Sequence, residues 1–149
     1  MDDRDLLLMW RNDMEAERLV YSVPPAEVTM QEHEVWLSNW ICKMWRKESR
    51  DSKMTEGLFL AINSETQETI GTGRITANFN SRLSSMCLIH YTVAPTCRKQ
   101  GYGAKVVRAL VDKAKDEMGY STIGAKIHRE NTASLKCALT GGVNAVEFL

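Results

Sequence analysis

Apolar residues near the start of the chain recur at the spacing of an amphipathic helix. The positions are Leu6, Trp10, Met14 and Leu19. Together with the acidic residues at its start, this pattern predicts a first helix from about Asp3 to Val20. The segment YSVPPAEV that follows contains adjacent prolines, which disfavour helix, so a break is expected there.

A second helix is predicted behind the sequence TMQE. Thr29 would cap this helix and Glu32 would reach back to the backbone of Thr29, as in a capping box. The apolar positions behind the cap are Trp36, Leu37, Trp40, Ile41, Met44 and Trp45. The tryptophans at 36, 40 and 45 are spaced like one helix face, which favours packing in the core over a platform for a sugar ligand.

Beyond residue 56 the hydrophobic pattern changes to that of strands. Five strands are predicted, at Gly57–Ile62, Ile70–Phe79, Met86–Ala94, Ser121–Ile127 and Val143–Leu149. A helix before the fourth strand ends near Met118 at Gly119, and a short helix begins at Asn131. Hairpin strands followed by a crossover helix predict an α+β fold: a mixed, mostly antiparallel sheet flanked by helices, in one domain over residues 1–149.

Composition and charge narrow the class of protein. The chain has 149 residues, of which 44% are apolar and 26% charged, as in a soluble globular domain. Lys plus Arg number 19 and Asp plus Glu number 19, and zero net charge argues against a nucleic-acid partner. No stretch approaches the roughly 18 apolar residues of a membrane span, and the charged start is unlike a secretion signal. A cytoplasmic location is therefore expected.

The cysteines and histidines do not form a metal-binding pattern. The cysteines at 42, 87, 97 and 137 have no CxxC spacing, and the histidines at 33, 90 and 128 stand apart. This indicates reduced thiols and no zinc or other metal site.

The sequence APTCRKQGYGAKVVRAL, from Ala94 to Leu110, leads from a predicted strand through a loop into a helix. The amides at a helix N-terminus carry partial positive charge and attract anions. Gly101 and Gly103 lack a Cβ and would let a bulky anion approach the main chain, while Arg98 and Lys99 add formal positive charge. The pattern predicts a pyrophosphate cradle; a plain turn whose glycines serve only backbone geometry is the alternative.

The spacing Arg98-x-x-Gly101-x-Gly103 resembles the Q/R-x-x-G-x-G/A signature of the GNAT family of acyl-CoA N-acyltransferases. HYTVAPTCRKQGYG resembles the family's strand and phosphate loop, and HRENTASLKCALTGG resembles its ENxxSxxxYxxxGF segment. WRND and EHEVWL near the start are similar to a branch that includes ribosomal-protein acetyltransferases and acetyltransferases of nucleotide-linked amino sugars. A Rossmann dinucleotide site is the runner-up, but the glycines do not form GxGxxG and the preceding strands are hairpin-linked.

The resemblance implies a set of contacts to acetyl-CoA. The loop amides would hold the pyrophosphate, and Val93 would offer main-chain hydrogen bonds to the pantetheine arm where its strand splays from the strand carrying Ile127. Asn131 would bond the amide portion of the cofactor, with Ser134 beside it; an N-cap and a surface position are their alternative roles. The implied loop residues are Arg98, Lys99, Gln100, Gly101, Tyr102, Gly103 and Ala104.

Catalytic groups are less clearly marked than the cofactor site. The family's usual tyrosine acid aligns with Ala138, which cannot donate a proton, and its common glutamate aligns near Cys87 or Leu88. His90 is one candidate for the general base, because an ordinary histidine pKa of about 6.5 suits proton abstraction at neutral pH. Glu130 is the second candidate. A half-exposed strand histidine and a solvated loop carboxylate are the alternatives.

Other side chains are candidates for the acid and for the acceptor site. Tyr91 and Tyr102 are candidate acids, with packing and loop cover as alternative roles. Trp10 and Arg11 are expected at the acceptor site, because in the family that the chain resembles the first two helices wall the acceptor pocket. Compared with that family, the chain is expected to lack a strand at each end, and open sheet edges favour a homodimer.

Two functions stay open. The first is transfer of the acetyl group of acetyl-CoA to a primary amine, either a small molecule such as an amino sugar or a protein N-terminus. The second is a catalytically weak acyl-CoA-binding or regulatory module, which Ala138 and the trimmed ends suggest. Both imply acetyl-CoA binding without a metal, a nucleic acid or a membrane as partner.

Overall fold

Two helices precede the sheet. The computed structural model describes residues 3–13, 27–48, 55–77 and 85–149. Helix α1 spans Asp3–Arg11, and helix α2 spans Met30–Glu48. Within the described ranges, no helix combines the length and the apolar character needed to cross a bilayer.

Helix α1 ends earlier than its hydrophobic pattern predicts. Asn12 Nδ2 donates to the carbonyl of Val28 (2.9 Å), and the backbone N–H of Val28 donates to Asn12 Oδ1 (2.8 Å). These two hydrogen bonds fasten the exit of α1 to the start of α2. The predicted helix from Asp3 to Val20 is therefore wrong at Asn12 and Asp13, and its part at residues 14–20 lies outside the described residues.

The capping box predicted for the second helix is confirmed. The N–H of Thr29 donates to Glu32 Oε2 (2.9 Å), and the N–H of Glu32 donates to Thr29 Oγ1 (3.3 Å). The backbone bond from Thr29, and then the bond from its hydroxyl, lower the pKa of the Glu32 carboxyl. Each partner thus satisfies one amide that the helix start would otherwise leave open.

A five-stranded sheet in the order β1-β2-β3-β4-β5 forms the centre of the fold. The strands are β1 Gly57–Ile62, β2 Thr69–Ala77, β3 Met86–Val93, β4 Thr122–Ile127 and β5 Ala145–Phe148. The first three pair antiparallel, and β4 pairs parallel with β3 and with β5. The predicted mixed sheet and its five strands are confirmed, with ends shifted by one or two residues; the predicted end of the second strand at Phe79 lies outside the described residues.

Helices α3 and α4 cover one face of this sheet. Helix α3 spans Tyr102–Asp112 and continues as a π-helical turn over Lys113–Glu117, and Gly119 follows with a left-handed φ of 78°. Helix α4 spans Thr132–Gly141. The side chains buried deepest between these helices and the sheet are Ile75, Ile89, Val107, Val111 and Ile123.

The parallel seam between β3 and β4 is short. Three pairs form it: Met86 with Thr122, Cys87 with Ile123, and Leu88 with Gly124. Beyond Leu88 and Gly124 the two strands part, although both continue as strands. The splay expected from the resemblance is therefore present, and it places backbone at an open gap inside the sheet.

Candidate active site

A cavity of about 230 Å³ opens where β3 and β4 part. Its walls come from both strands, from β2, from the start of α4 and from the N-terminal helices; they include Arg11, Trp36, Arg74, His90, Tyr91, Lys126, Asn131 and Ser134. A neighbouring cavity of about 50 Å³ shares Arg11 and Trp36 with it. Because side chains alternate along a strand, Arg74 and His90 face away from the buried layer formed by Ile75 and Ile89.

The loop between β3 and α3 has left-handed backbone at two residues. Lys99 has a φ of 60°, and Gly101, the N-cap of α3, has a φ of 82°. A Cβ at Gly101 would meet no atom within 4 Å, so the space in front of the helix start is open. Backbone of this kind at a helix N-terminus is the arrangement that binds anions, and the strain at Lys99 is typical of ligand-binding loops.

The structure shows a reason for glycine at position 103 that the sequence does not suggest. A Cβ built on Gly103 would lie 2.6 Å from Cys137 Sγ of α4. Real Cβ atoms do not approach other atoms so closely, so Gly103 is needed for the contact between α3 and α4. Gly103 thus has a role in helix packing, and its role at the anion site stays a prediction. Of the two loop glycines, only Gly101 borders open space.

The charge of Arg98 is opposed within the protein. Its Nε donates to the carbonyl of Val93 (3.1 Å), and its guanidinium forms an ion pair with Asp13, just past the end of α1. Arg98 carries the predicted formal positive charge, but Asp13 opposes it, and the side chain links the loop to β3 and to the N-terminal segment. Lys99, which is exposed, remains as the other cation of the loop.

The backbone of Val93 faces the gap. The N–H of Ala94 donates to the carbonyl of Ile70 on the β2 side (2.9 Å), so by alternation the N–H and C=O of Val93 and Tyr91 face β4. Since the carbonyl of Val93 already accepts from Arg98, the N–H of Val93 is the group left to meet a ligand in the gap.

The other predicted loop residues lie at the start of α3. Gln100 is exposed and donates from Nε2 to the carbonyl of Thr96 (2.9 Å). The hydroxyl of Tyr102 accepts from Asn63 Nδ2 (3.2 Å), which fits the role of loop cover better than that of an acid. Ala104 lies in the first turn of α3 and is partly buried.

Asn131 and Ser134 lie together at the start of α4. Asn131 Oδ1 accepts from the N–H of Ser134 (2.9 Å), so Asn131 is an N-cap. The hydroxyl of Tyr91 donates to the carbonyl of Ser134 (2.8 Å) and lies 2.6 Å from Ser134 Oγ. Burial raises the pKa of Tyr91 to about 12, although its bond with Ser134 acts to lower it. The three residues thus form one hydrogen-bonded group on the cavity wall.

Ala138, which the resemblance aligns with the family's usual tyrosine, is fully buried. Its carbonyl accepts from the N–H of Val143 (3.0 Å), and its side chain belongs to the core between α3, α4 and the sheet. The nearest phenol to α4 that lines the cavity is therefore that of Tyr91.

His90 lines the cavity, but its basicity is low. Burial, then the charge of Arg74, then that of Lys126 lower the pKa of His90 to about 4. Arg74 is its partner in the register of β2 and β3. His90 is therefore neutral at pH 7, as a base must be, yet it holds a proton far less well than the sequence predicts.

Glu130 does not line the cavity. It is exposed, in the turn between β4 and α4, and its N–H donates to His128 Nδ1 (3.4 Å). Its proposed role as base stays a prediction without a geometric contact to support it. Among the described residues, no group of three or more His, Cys, Asp or Glu side chains is placed to hold a metal ion.

The predicted acceptor-site residues separate in the structure. Trp10 is only 3% exposed, packs with Leu7 and Ala94 and lines the smaller cavity alone, whereas Arg11 lines both cavities. The guanidinium of Arg11 lies 4.6 Å from the ring centroid of Trp36. Trp36 is thus a cavity wall, and the prediction that it packs in the core is wrong. The side chain of Trp45 lies outside the described residues.

Strands β3 and β4 part beside a helix N-terminus whose preceding loop has two residues with left-handed φ. This is the arrangement that the resemblance to acyltransferases implies. The family model for the acetyltransferase (GNAT) domain matches residues 1–144. The chain therefore belongs to the GNAT acetyltransferase family, which confirms the predicted family and enzyme class. Comparison with curated protein sequences gives no significant match.

Solved structures share the fold at low sequence identity. The aminoglycoside acetyltransferase AAC(6')-Ib, solved with paromomycin and acetyl-CoA, is 17% identical, with a TM-score of 0.71 over 94% of this chain and 76% of its own. A protein assigned as a ribosomal-protein-serine acetyltransferase from Vibrio cholerae is 19% identical, with a TM-score of 0.66 over 95% and 74%. Spermidine N-acetyltransferase from Vibrio cholerae, solved with CoA and spermine, is 14% identical, with a TM-score of 0.66 over 95% and 76%.

Sequence reasoning missed two cationic side chains and one hydrogen bond at the cavity. Arg74 and Lys126 lie on the face of the sheet that carries His90, and strand alternation could have found them once the register was known. The bond between Tyr91 and Ser134 joins residues 43 apart in the chain and leaves no local signal.

Proposed function

We propose that this protein transfers the acetyl group of acetyl-CoA to a primary amine. The observation that carries the proposal is the cavity at the parted strands β3 and β4, which His90 and Arg11 line. Strand β3 leads from this cavity to the open helix N-terminus at Gly101. The similar structures solved with acetyl-CoA or CoA and an amine support the same pairing of ligands.

The residues present fit an acyl-CoA thioester. The loop amides from Arg98 to Ala104 would hold the pyrophosphate, with room above Gly101. The N–H of Val93 would donate to the pantetheine arm in the gap. Asn131 Oδ1 is engaged by Ser134, so a contact from Asn131 to the cofactor would use Nδ2.

Acetyl transfer forms a bond from the amine nitrogen to the carbonyl carbon, breaks the C–S bond and moves one proton from the amine to the departing thiolate. The amine must therefore be neutral when it attacks. The charges of Arg74 and Lys126 that depress the pKa of His90 would depress the pKa of a bound ammonium in the same way. The site would thus favour the free amine without a strong base, and His90 or water would take the proton.

The hydroxyl of Tyr91 would remain protonated at neutral pH because its pKa is raised to about 12. Its one proton is donated to the carbonyl of Ser134, so the phenol positions the start of α4 at the cavity wall and supplies no free donor in place of the phenol that Ala138 lacks. Small amines and peptide N-termini both remain acceptors under this proposal, and the homodimer stays a prediction.

A second function, an acyl-CoA-binding module with weak catalysis, is favoured by the buried Ala138 and the weakly basic His90. Two measurements separate the functions: the melting temperature with acetyl-CoA, and release of the CoA thiol with a panel of primary amines. Binding to the folded state alone should stabilise it by about 2.7 kcal/mol at a hundredfold excess over Kd. A thermal shift with amine-dependent thiol release supports the enzyme, a shift without release supports the module, and no shift at millimolar acetyl-CoA contradicts both.

Gly101→Ala tests the anion site with a matched control. Gly101 (φ 82°) and Gly142 (φ 96°) are both left-handed, so Ala at either should cost about 1–2 kcal/mol of folding stability. Only Gly101→Ala places a methyl group in the open space before α3, so it alone should raise the Kd of acetyl-CoA, by at least tenfold. Equal losses of affinity in Gly101→Ala and Gly142→Ala would favour the plain turn.

A further inference from the structure

The described lining of the cavity is cationic. Arg11, Arg74 and Lys126 contribute to it, and no Asp or Glu does so among the residues that the structure describes. Lys126 is opposed by Glu147 at the edge of the cavity, with Nζ 3.1 Å from the carboxylate. Arg74 lies over the ring of Trp40 with its guanidinium carbon 5.5 Å from the centroid. The positive charge is therefore concentrated on the side of the N-terminal helices.

Arg11 is held in place by two neutral groups, and the carboxylate of Glu32, whose pKa the charge of Arg11 lowers, acts on it without forming an ion pair. Its guanidinium carbon lies 4.6 Å from the ring centroid of Trp36, and Nη1 lies 3.2 Å from Nδ1 of His33. His33 is fully buried, stacks on Trp36 at 5.7 Å, and has its pKa lowered by burial and then by Arg11, so its Nδ1 accepts the bond as a neutral ring. Within the described part of the chain, Arg11 forms no ion pair with a carboxylate.

Arg11 and Arg98 differ in whether a carboxylate is paired with the guanidinium. Arg98 also lies beside the site, but Asp13 neutralises it. A guanidinium fixed by an aromatic face and a neutral nitrogen keeps its other N–H donors, and its planar fork matches the geometry of a carboxylate or phosphate. Because Arg11 is already oriented, an acid group that binds it would not have to order the side chain first.

We propose that the acceptor is a primary amine that also carries an acid group, a carboxylate, phosphonate or phosphate, and that Arg11 binds this group. The inference rests on the proposed amine acetylation and adds the substrate class. Arg74 adds to the positive field, so the acid group is drawn to the side of the N-terminal helices while the amine points to the gap between β3 and β4. Polycationic amines would bind poorly in the same positive field. The acceptor would thus differ from the paromomycin and the spermine of the similar structures.

Pairs of amines that differ by one acid group test the proposal. Thiol release from acetyl-CoA is measured with tyrosine against tyramine, with glucosamine 6-phosphate against glucosamine, and with spermidine. In at least one pair, kcat/KM should be tenfold or more higher for the acid-bearing member. Raising NaCl from low to about 300 mM should raise its KM but not that of its partner, because screening weakens only the charged contact.

Variants of Arg11 assign the preference to that side chain. Arg11→Gln should reduce the ratio of kcat/KM within the pair to less than threefold, chiefly through KM, and Arg11→Lys should give an intermediate ratio because it keeps charge but loses the fork. Arg4→Gln is the matched control: Arg4 lies on α1 but is half-exposed and pairs with Glu34, so the ratio should persist. The melting temperature of each variant shows whether it folds.

Each contrary result has a distinct meaning. Equal or reversed preference in the wild type, or spermidine as the best acceptor, overturns the substrate class while leaving amine acetylation intact. A tenfold loss of acetyl-CoA affinity in Arg11→Gln with an unchanged ratio would place Arg11 in the cofactor site and also overturn it. No thiol release with any amine contradicts the proposed function, and the inference falls with it.

Discussion

At the scale of single residues, burial and neighbouring charges decide the chemistry of His90. Its position on β3, on the face opposite Ile89, follows from strand alternation and could be predicted from the sequence. Its pKa of about 4 could not, because the burial that lowers it arises from tertiary packing and the charges of Arg74 and Lys126 reach it from two other strands. His90 should therefore not cause a rise of activity near pH 6.5. A rise of activity due to the deprotonation of this group would lie near pH 4.

The depressed pKa of His90 predicts a loss of stability in mild acid. Below pH 6.5 the unfolded chain protonates this histidine, while the folded protein resists protonation down to about pH 4, so stability falls as pH falls through this window. The full effect is about 3 kcal/mol. Urea unfolding at pH 7, 5.5 and 4.5 should show a smaller loss for His90→Gln than for the wild type. Parallel curves for the two proteins would show that the histidine is not shielded.

At the scale of elements, the features that could not be predicted from the sequence depend on long-range contacts. The capping box at Thr29 and Glu32 is local and was predictable, as was the position of the Asn131 cap. The end of α1 was not, because Asn12 is held by Val28, which comes 16 residues later. The packing role of Gly103 likewise depends on Cys137, from a helix that only the folded chain brings near.

A double-mutant cycle tests the contact between α3 and α4. Gly103→Ala alone should destabilise the fold by about 1–3 kcal/mol, because its methyl group would overlap Cys137 Sγ. In a Cys137→Ala background the same substitution should stabilise by about 0.5–1 kcal/mol, since alanine is favoured over glycine inside a helix. The measurement is chemical unfolding of the four proteins. The same sign of effect in both backgrounds would exclude the overlap as the cause.

At the scale of the whole molecule, the main feature of the sheet is the gap where β3 and β4 part. The five strands and their mixed character followed from hydrophobic pattern, whereas the parting of β3 from β4 was expected only through resemblance to a family. Nothing in the sequences of these strands marks the residue at which pairing stops. That residue is seen only in the folded sheet, where Leu88 and Gly124 form the last pair.

Backbone amides at the gap should report the cofactor. The N–H groups of Tyr91 and Val93 face the gap, whereas those of His90 and Thr92 pair with β2. Saturating acetyl-CoA should slow hydrogen exchange at Val93 by at least tenfold more than at Thr92, as resolved by NMR. Gly101→Ala should need a correspondingly higher concentration for the same protection. Uniform slowing along β3 would indicate general stabilisation without a ligand in the gap.

The burial of Ala138 also bears on how this protein could be engineered. A tyrosine at this position would need space for a phenol where the layer of α3, α4 and sheet is already closed, and overfilling a packed core typically costs about 1–3 kcal/mol. Ala138→Tyr would therefore reduce stability before any acid could serve. A designer who wants a proton donor beside the gap has more room on the cavity wall than at the position of Ala138.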